Sequence, residues 1–191
     1  MDSEDDCITC GVGTFCPVGS NAETDCAPGT YNKNEKQETC TSCDAGEYQP
    51  DAKQTACMAC EEGSYCPPGA AAALPCAGGT FSSATNLESA GQCTDADPGY
   101  FATTGSTEQT ACAKGTYTDA TMATKDKCTA CAGGSYQNGE GETACKACDA
   151  GSYCPPGAAA ALPCNAGTFS SATNLESAGQ CTDADPGYFA T

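Results

Sequence analysis

Residues 60–76 read CEEGSYCPPGAAAALPC, and their opening hexad, C-x-x-G-x-[Y/F], is the unit from which most of the chain is built. The same pattern stands as CGVGTF from Cys10, CAPGTY from Cys26, CDAGEY from Cys43 and CAGGTF from Cys76. It returns as CAKGTY from Cys112, CAGGSY from Cys131, CDAGSY from Cys148 and CNAGTF from Cys164. Two degenerate copies, ADPGYF from Ala96 and from Ala184, keep the glycine and the aromatic ring but lack the cysteine. Openings recur roughly every 16 to 20 residues, so the chain reads as about eleven short turns in series. Every aromatic residue, Tyr100 and Tyr188 included, belongs to one of these turns, which leaves none for a conventional core.

Composition agrees with that reading. The 191 residues include 19 cysteines and no tryptophan, and isoleucine and valine are scarce. Such a balance marks a disulfide scaffold more than a packed interior. Units this short cannot offset their conformational entropy by burial alone, so covalent closure supplies much of the constraint. Paired thiols in this number place the chain in an oxidising setting, outside the cell or at its surface. Met1 is followed by Asp2, Ser3, Glu4, Asp5 and Asp6, which is not a signal peptide, and no stretch approaches a bilayer-spanning apolar run. The net charge is −18, with no arginine or histidine to offset the acids, and phosphate binding needs the opposite sign. Nucleic acid is therefore excluded as a partner.

A larger period of 88 residues overlies the short one. Cys40, Cys43, Cys57, Cys60, Cys66, Cys76 and Cys93 recur at Cys128, Cys131, Cys145, Cys148, Cys154, Cys164 and Cys181. Between 63–103 and 151–191 only Ala77/Asn165 and Gly78/Ala166 differ. The organisation expected is a partial repeat over 1–25, a first cysteine-rich block over 26–111 and a second, near-identical block over 112–191. Cys7, Cys10, Cys16 and Cys26 match the spacing of Cys57, Cys60, Cys66 and Cys76, so the chain is expected to open in mid-repeat, and to close in one as well.

The odd number of thiols constrains their pairing. Joining each opening cysteine to the one that closes its bracket gives Cys10–Cys16, Cys26–Cys40, Cys43–Cys57, Cys60–Cys66, Cys76–Cys93, Cys112–Cys128, Cys131–Cys145, Cys148–Cys154 and Cys164–Cys181. Cys7 is then left without a partner in the chain. Ala96 and Ala102 stand where Cys60 and Cys66 would, and both are lost together, again at Ala184 and Ala190, as expected of a bonded pair. A crossed alternative, Cys60–Cys76 with Cys66–Cys93, stays open, because spacing does not fix connectivity. The C-x-x-C doublets favour disulfides over zinc, since histidine is absent and thiolate zinc sites belong to reducing compartments. No βαβ context supports thioredoxin-like chemistry.

Glycine in each hexad supplies a permissive backbone and the ring after it starts a short extended run, as at 80–83. The residues from Ala70 to Leu74 favour about one helical turn, confined by Pro68, Gly69 and Pro75. A second short turn is expected over 89–92.

The tandem C-x2-G-x-[Y/F]-x8–11-C-x2-C brackets resemble the cysteine-rich repeats of ephrin receptors. They are also similar to the first loop module of tumour necrosis factor receptor cysteine-rich domains, within the growth-factor-receptor cysteine-rich group. The resemblance implies a small disulfide-rich fold, an elongated rod of tandem β-ribbon and loop modules with little helix. The cysteine-less turns depart from that pattern, leaving joints near Pro98 and Pro186 with fewer restraints. Such repeats occur in receptors, adhesins and protist surface proteins alike, so the motif is specific for architecture and not for function.

No catalytic residue, metal or cofactor is assigned. There is no histidine, no G-x-S-x-G and no body able to exclude water from a carboxylate pair, so an enzyme is not expected. Asp95, Asp97, Asp183 and Asp185 are the best placed for calcium, but two carboxylates per turn without a defined loop read first as a solvated turn. No N-x-[S/T] sequon occurs. The threonine-rich spans 80–85, 103–107 and 116–124 suit O-linked glycans, and Pro67-Pro68 and Pro155-Pro156 suit hydroxylation. The expected role is structural: a segment of a long extracellular repeat protein that self-associates into a surface filament, coat or mastigoneme-like appendage. The competing expectation is the stalk of a receptor or adhesin that binds a protein ligand.

Overall fold

The computed structural model describes residues 9–121 and 125–187. Cys7, Tyr188, Ala190 and the 122–124 part of one threonine-rich span lie outside the described residues. Among the described residues, ten glycine-aromatic turns each start a two-residue strand that pairs antiparallel with a second one just ahead of the next turn's opening residue. In chain order the pairs begin with Thr14–Phe15 and Thr24–Asp25, Thr30–Tyr31 and Thr41–Ser42, Glu47–Tyr48 and Met58–Ala59, and Ser64–Tyr65 and Leu74–Pro75. Thr80–Phe81 pairs with Thr94–Asp95, Tyr100–Phe101 with Thr110–Ala111, and Thr116–Tyr117 with Thr129–Ala130. Ser135–Tyr136 pairs with Lys146–Ala147, Ser152–Tyr153 with Leu162–Pro163, and Thr168–Phe169 with Thr182–Asp183. Among the described residues there is no α-helix, only the 3-10 turns Ala90–Gln92 and Ala178–Gln180. The first of these falls in the short turn expected over 89–92.

The alanine run from Ala70 to Leu74 is not helical, against expectation. Ala70 forms a parallel bridge with Tyr48, and Leu74–Pro75 is extended to pair with Ser64–Tyr65. A helical turn would shorten the segment and pull both partners apart. Alanine's weak helical preference yields to pairing that buries Ala70 against the Cys60–Cys66 bridge and Tyr48.

The chain divides into two units. One comprises the residues up to Ala77 with Phe81–Thr94 and Thr104–Glu108; the other comprises Gly78–Thr80, Asp95–Thr103 and the residues from Gln109 onward. An isolated two-stranded ribbon is marginal in water, so the ribbons depend on their neighbours. In the first unit the turn glycines donate N–H to a carbonyl of the following module: Gly13 to Asn32 at 2.8 Å, Gly29 to Gln49 at 2.7 Å and Gly46 to Cys66 at 2.8 Å. The bond is returned when Cys26, Cys43 and Cys60 donate to the carbonyls of Gly13, Gly29 and Gly46. The second unit repeats the pattern from Gly99 to Thr118, Gly115 to Gln137 and Gly134 to Cys154. It continues through the cysteine-less turn at Pro98, where Ala96 donates to Gly79 at 2.9 Å and Gly79 to Ala102 at 2.7 Å.

Nine disulfides lie among the described residues. They join Cys10–Cys16, Cys26–Cys40, Cys43–Cys57, Cys60–Cys66, Cys76–Cys93, Cys112–Cys128, Cys131–Cys145, Cys148–Cys154 and Cys164–Cys181. Cys60 faces Cys66 and not Cys76. The buried apolar set is ten of these cysteines with Ala70, Ala96, Ala102, Ala158, Leu87 and Leu175, while the described rings are half-buried apart from the exposed Phe169. Ala96 and Ala102 are as buried as the cysteines they replace.

The turn glycines have positive φ, and two show why it matters. A Cβ on Gly46, at φ +85°, would lie 2.7 Å from the Asn86 carbonyl oxygen, and one on Gly134 would meet that of Asn174 at 2.5 Å. Gly69, at φ +71°, has open space beside it. Gly46→Ala is therefore expected to cost about 2–4 kcal/mol in urea unfolding of the oxidised protein, and Gly69→Ala only about 1 kcal/mol. Equal losses would show that the close approach at Gly46 does not matter. Non-reducing peptide mapping is expected to recover Cys60 joined to Cys66 and Cys76 joined to Cys93; a peptide joining Cys60 to Cys76 would overturn the connectivity.

Candidate functional site

At the position after each ring the cysteines were legible in the sequence, but the polar residues were not. This position holds Cys16, Asn32, Gln49, Cys66, Ser82, Ala102, Thr118, Gln137, Cys154 and Ser170 in turn. Asn32, Gln49, Ser82, Thr118 and Gln137 are the buried polar residues here, besides Thr14. Where the position is cysteine, it bonds the opening cysteine of its own turn, six residues earlier. Where it is an amide, it hydrogen-bonds across the loop. Asn32 Nδ2 donates to the carbonyls of Thr14 and Thr39, both at 3.0 Å, and Gln49 Nε2 to Ala56 at 2.7 Å. Gln137 Nε2 donates to Ala144. Thr118 Oγ1 donates to the Tyr100 carbonyl and accepts from the N–H of Gly99. No buried side-chain nitrogen or oxygen is left unpaired among the described residues. The alternation of Cys with Asn, Gln, Ser and Thr after the ring was the available signal.

The bridged cysteines are placed asymmetrically. Opening cysteines such as Cys26, Cys43, Cys60, Cys112, Cys131 and Cys148 are buried, and the distant closing partners Cys40, Cys57, Cys93, Cys128, Cys145 and Cys181 are half-buried. These sulfurs are structural and offer no thiolate for catalysis or metal binding.

The acidic turn behaves as a hydrogen-bonded turn. The Asp97 carboxylate accepts from Gln109 Nε2 at 2.8 Å, and the Asp97 N–H donates to Gln109 Oε1 at 2.7 Å. Asp95, Asp183 and Asp185 are exposed. Among the described residues no three acidic, cysteine or histidine side chains are arranged to hold a metal ion. The clearest charge cluster is elsewhere. Lys53 Nζ lies 3.3 Å from Asp25 and 3.7 Å from Glu23. The hydrogen bond and charge of Asp25, with the charge of Glu23 beside it, raise the lysine's pKa above its ordinary value. All three side chains are solvated, so the cluster adds little to stability.

Two surface hollows stand out. One, of about 520 Å³, is lined by Gly151, Pro163, Cys164, Thr168, Phe169 and Ser170, and the other lies beside Tyr117 and Cys145. The second is also lined by Asp119, Ser135 and Thr143, and the Ser135 hydroxyl in it is bonded to the Ala132 carbonyl. The hydroxyls of Thr30, Thr116, Ser135 and Thr168 are spent on the carbonyl three residues back, which tightens each turn. No helix among the described residues is long and apolar enough to cross a membrane.

No curated protein matches the chain in sequence. Residues 29–73 match the family described as "Tyrosine-protein kinase ephrin type A/B receptor-like". That segment begins at the Gly29 turn and takes in the Cys43–Cys57 and Cys60–Cys66 bridges, and its ribbon geometry recurs outside it. Disulfides at this density suit an extracellular or secreted protein. The stretch 29–73 thus carries cysteine-rich repeats of the ephrin-receptor-like kind.

Proposed function

We propose that the chain is a non-enzymatic structural segment of a long extracellular repeat protein, which self-associates into a surface filament, coat or appendage. The observation that supports this most is the near-identity of 63–103 and 151–191, which extends to exposed alanine, serine and threonine positions. Equivalent surfaces at a fixed interval let one contact be made repeatedly, and a weak contact repeated along two molecules gains avidity without new chemistry. A receptor, by contrast, diversifies the one module that meets its ligand. The high negative charge keeps such a protein soluble until a partner or cation offsets it. O-linked glycans on the exposed threonines belong to the same reading.

The likeness of 29–73 to ephrin-receptor-like repeats favours a second reading, the stalk of a receptor or adhesin ectodomain. The two part on solution behaviour. Sedimentation of the oxidised protein over a wide concentration range, at moderate salt and with added divalent cation, is expected to show concentration-dependent association, and electron microscopy of native material is expected to show fibres or arrays. A single monomeric species at every concentration would reject self-assembly. A ligand-binding domain and a membrane span encoded in the same gene would favour the stalk.

A further inference from the structure

We propose that Asn32, Gln49 and Gln137 act as pairing selectors, positioning residues that direct each opening cysteine to its distant partner during oxidative folding. The C-x-x-C doublets make this choice difficult. Cys43 has Cys40, Cys57 and Cys60 close in sequence, and Cys131 has Cys128, Cys145 and Cys148. Cys57 and Cys60 lie 14 and 17 residues beyond Cys43, as Cys145 and Cys148 do beyond Cys131, and loops of those lengths cost nearly the same entropy to close, so loop length does not discriminate between them.

The three amides share one arrangement. Each stands six residues after an opening cysteine and donates to a carbonyl seven residues further on. The acceptors, Thr39, Ala56 and Ala144, immediately precede the closing cysteines Cys40, Cys57 and Cys145. The amide carriers are themselves fixed. The Gln49 N–H donates to Ala70 and its carbonyl accepts from Gly29, while the Gln137 N–H donates to Ala158 and its carbonyl accepts from Gly115. The far side of both glutamine amides is also held, since Gln49 Oε1 accepts from the Asp51 N–H and Gln137 Oε1 from that of Gly139. All three bridges of sequence separation 14 carry such an amide. The bridges of separation 16 and 17 carry Thr118, Ser82 or Ser170 there instead, and the Ser82 and Ser170 hydroxyls turn back on Ala84 and Ala172.

The same position is cysteine in the six-residue bridges of Cys16, Cys66 and Cys154. In the loops of separation 6 and 14 the residue here thus selects the mode of closure: a cysteine takes the bond itself, and a buried amide passes it to the cysteine beyond. Each closure oxidises two thiols, whose two electrons and two protons pass to a disulfide oxidant such as oxidised glutathione, leaving two glutathione thiols. The amide takes no part in the electron transfer. It raises the effective concentration of the correct thiol.

The test is reduction and denaturation of the full chain, reoxidation in glutathione buffer, and non-reducing peptide mapping. In Gln49→Leu, the ratio of Cys43–Cys57 to forms joining Cys43 to Cys40 or Cys60 is expected to fall about fivefold or more, while Cys131–Cys145 is unchanged. Gln49→Asn, which keeps the amide found at position 32, is expected to restore the parent ratio. Ser82→Ala is expected to leave Cys76–Cys93 pairing as it was. A Gln49→Leu chain that pairs like the parent, or a Ser82→Ala chain that scrambles equally, would overturn the proposal. If Gln49→Leu yields no native product, Gln49→Ser, which places there the residue found at position 82, decides: a fall in Cys43–Cys57 pairing supports the selector, and pairing like the parent refutes it.

Discussion

Buried sulfur holds the place that aliphatic side chains hold in a larger domain. Cys26, Cys43, Cys60, Cys76, Cys112, Cys131 and Cys148 are buried while the N–H of each bonds the glycine carbonyl of the preceding turn, so one residue joins covalent closure to backbone pairing. A bridge over about 15 residues removes on the order of 3 kcal/mol of loop entropy from the unfolded chain, although part of its effect is enthalpic. A single ladder hydrogen bond contributes about 0.5–1.5 kcal/mol. The bridges therefore set whether each loop is closed, and the ladder sets how one loop meets the next.

The cysteine-less turn separates these two contributions. Ala96 and Ala102 keep the burial and the backbone bonds of a cysteine pair without the covalent link. Thr118 adds a hydroxyl that accepts from Gly99 and donates to Tyr100 on that turn. The ladder thus continues where sulfur is missing, and the absent bridge costs local stability more than local geometry. Tight approach of backbones makes this feasible, and it is the reason the turn glycines cannot be exchanged freely: Gly46 lies against a carbonyl of a later loop.

The polar residues after the rings extend the same economy. Buried amides are costly unless satisfied, and here each one donates to the carbonyl just ahead of its closing cysteine. Asn32, Gln49 and Gln137 are thus neither catalytic nor incidental. They complete the loops that the disulfides close.

Much was legible from spacing alone. Recurrence of cysteine, glycine and ring establishes the turns, the short ribbons, the disulfide-rich class and the want of a conventional core, because each is a local consequence of residue type at fixed separation. The alanine run of 70–74 misled, since helix propensity is a local quantity and the bridge from Ala70 to Tyr48 is not. The burial of Gln49 and Gln137 was equally hidden, for nothing in a lone glutamine distinguishes a solvated side chain from one aimed at the carbonyl before Cys57 or Cys145. Local chemistry determined what each turn is, whereas contacts between turns, made by backbone groups that every residue shares, decided which loop covers which and where the amides point.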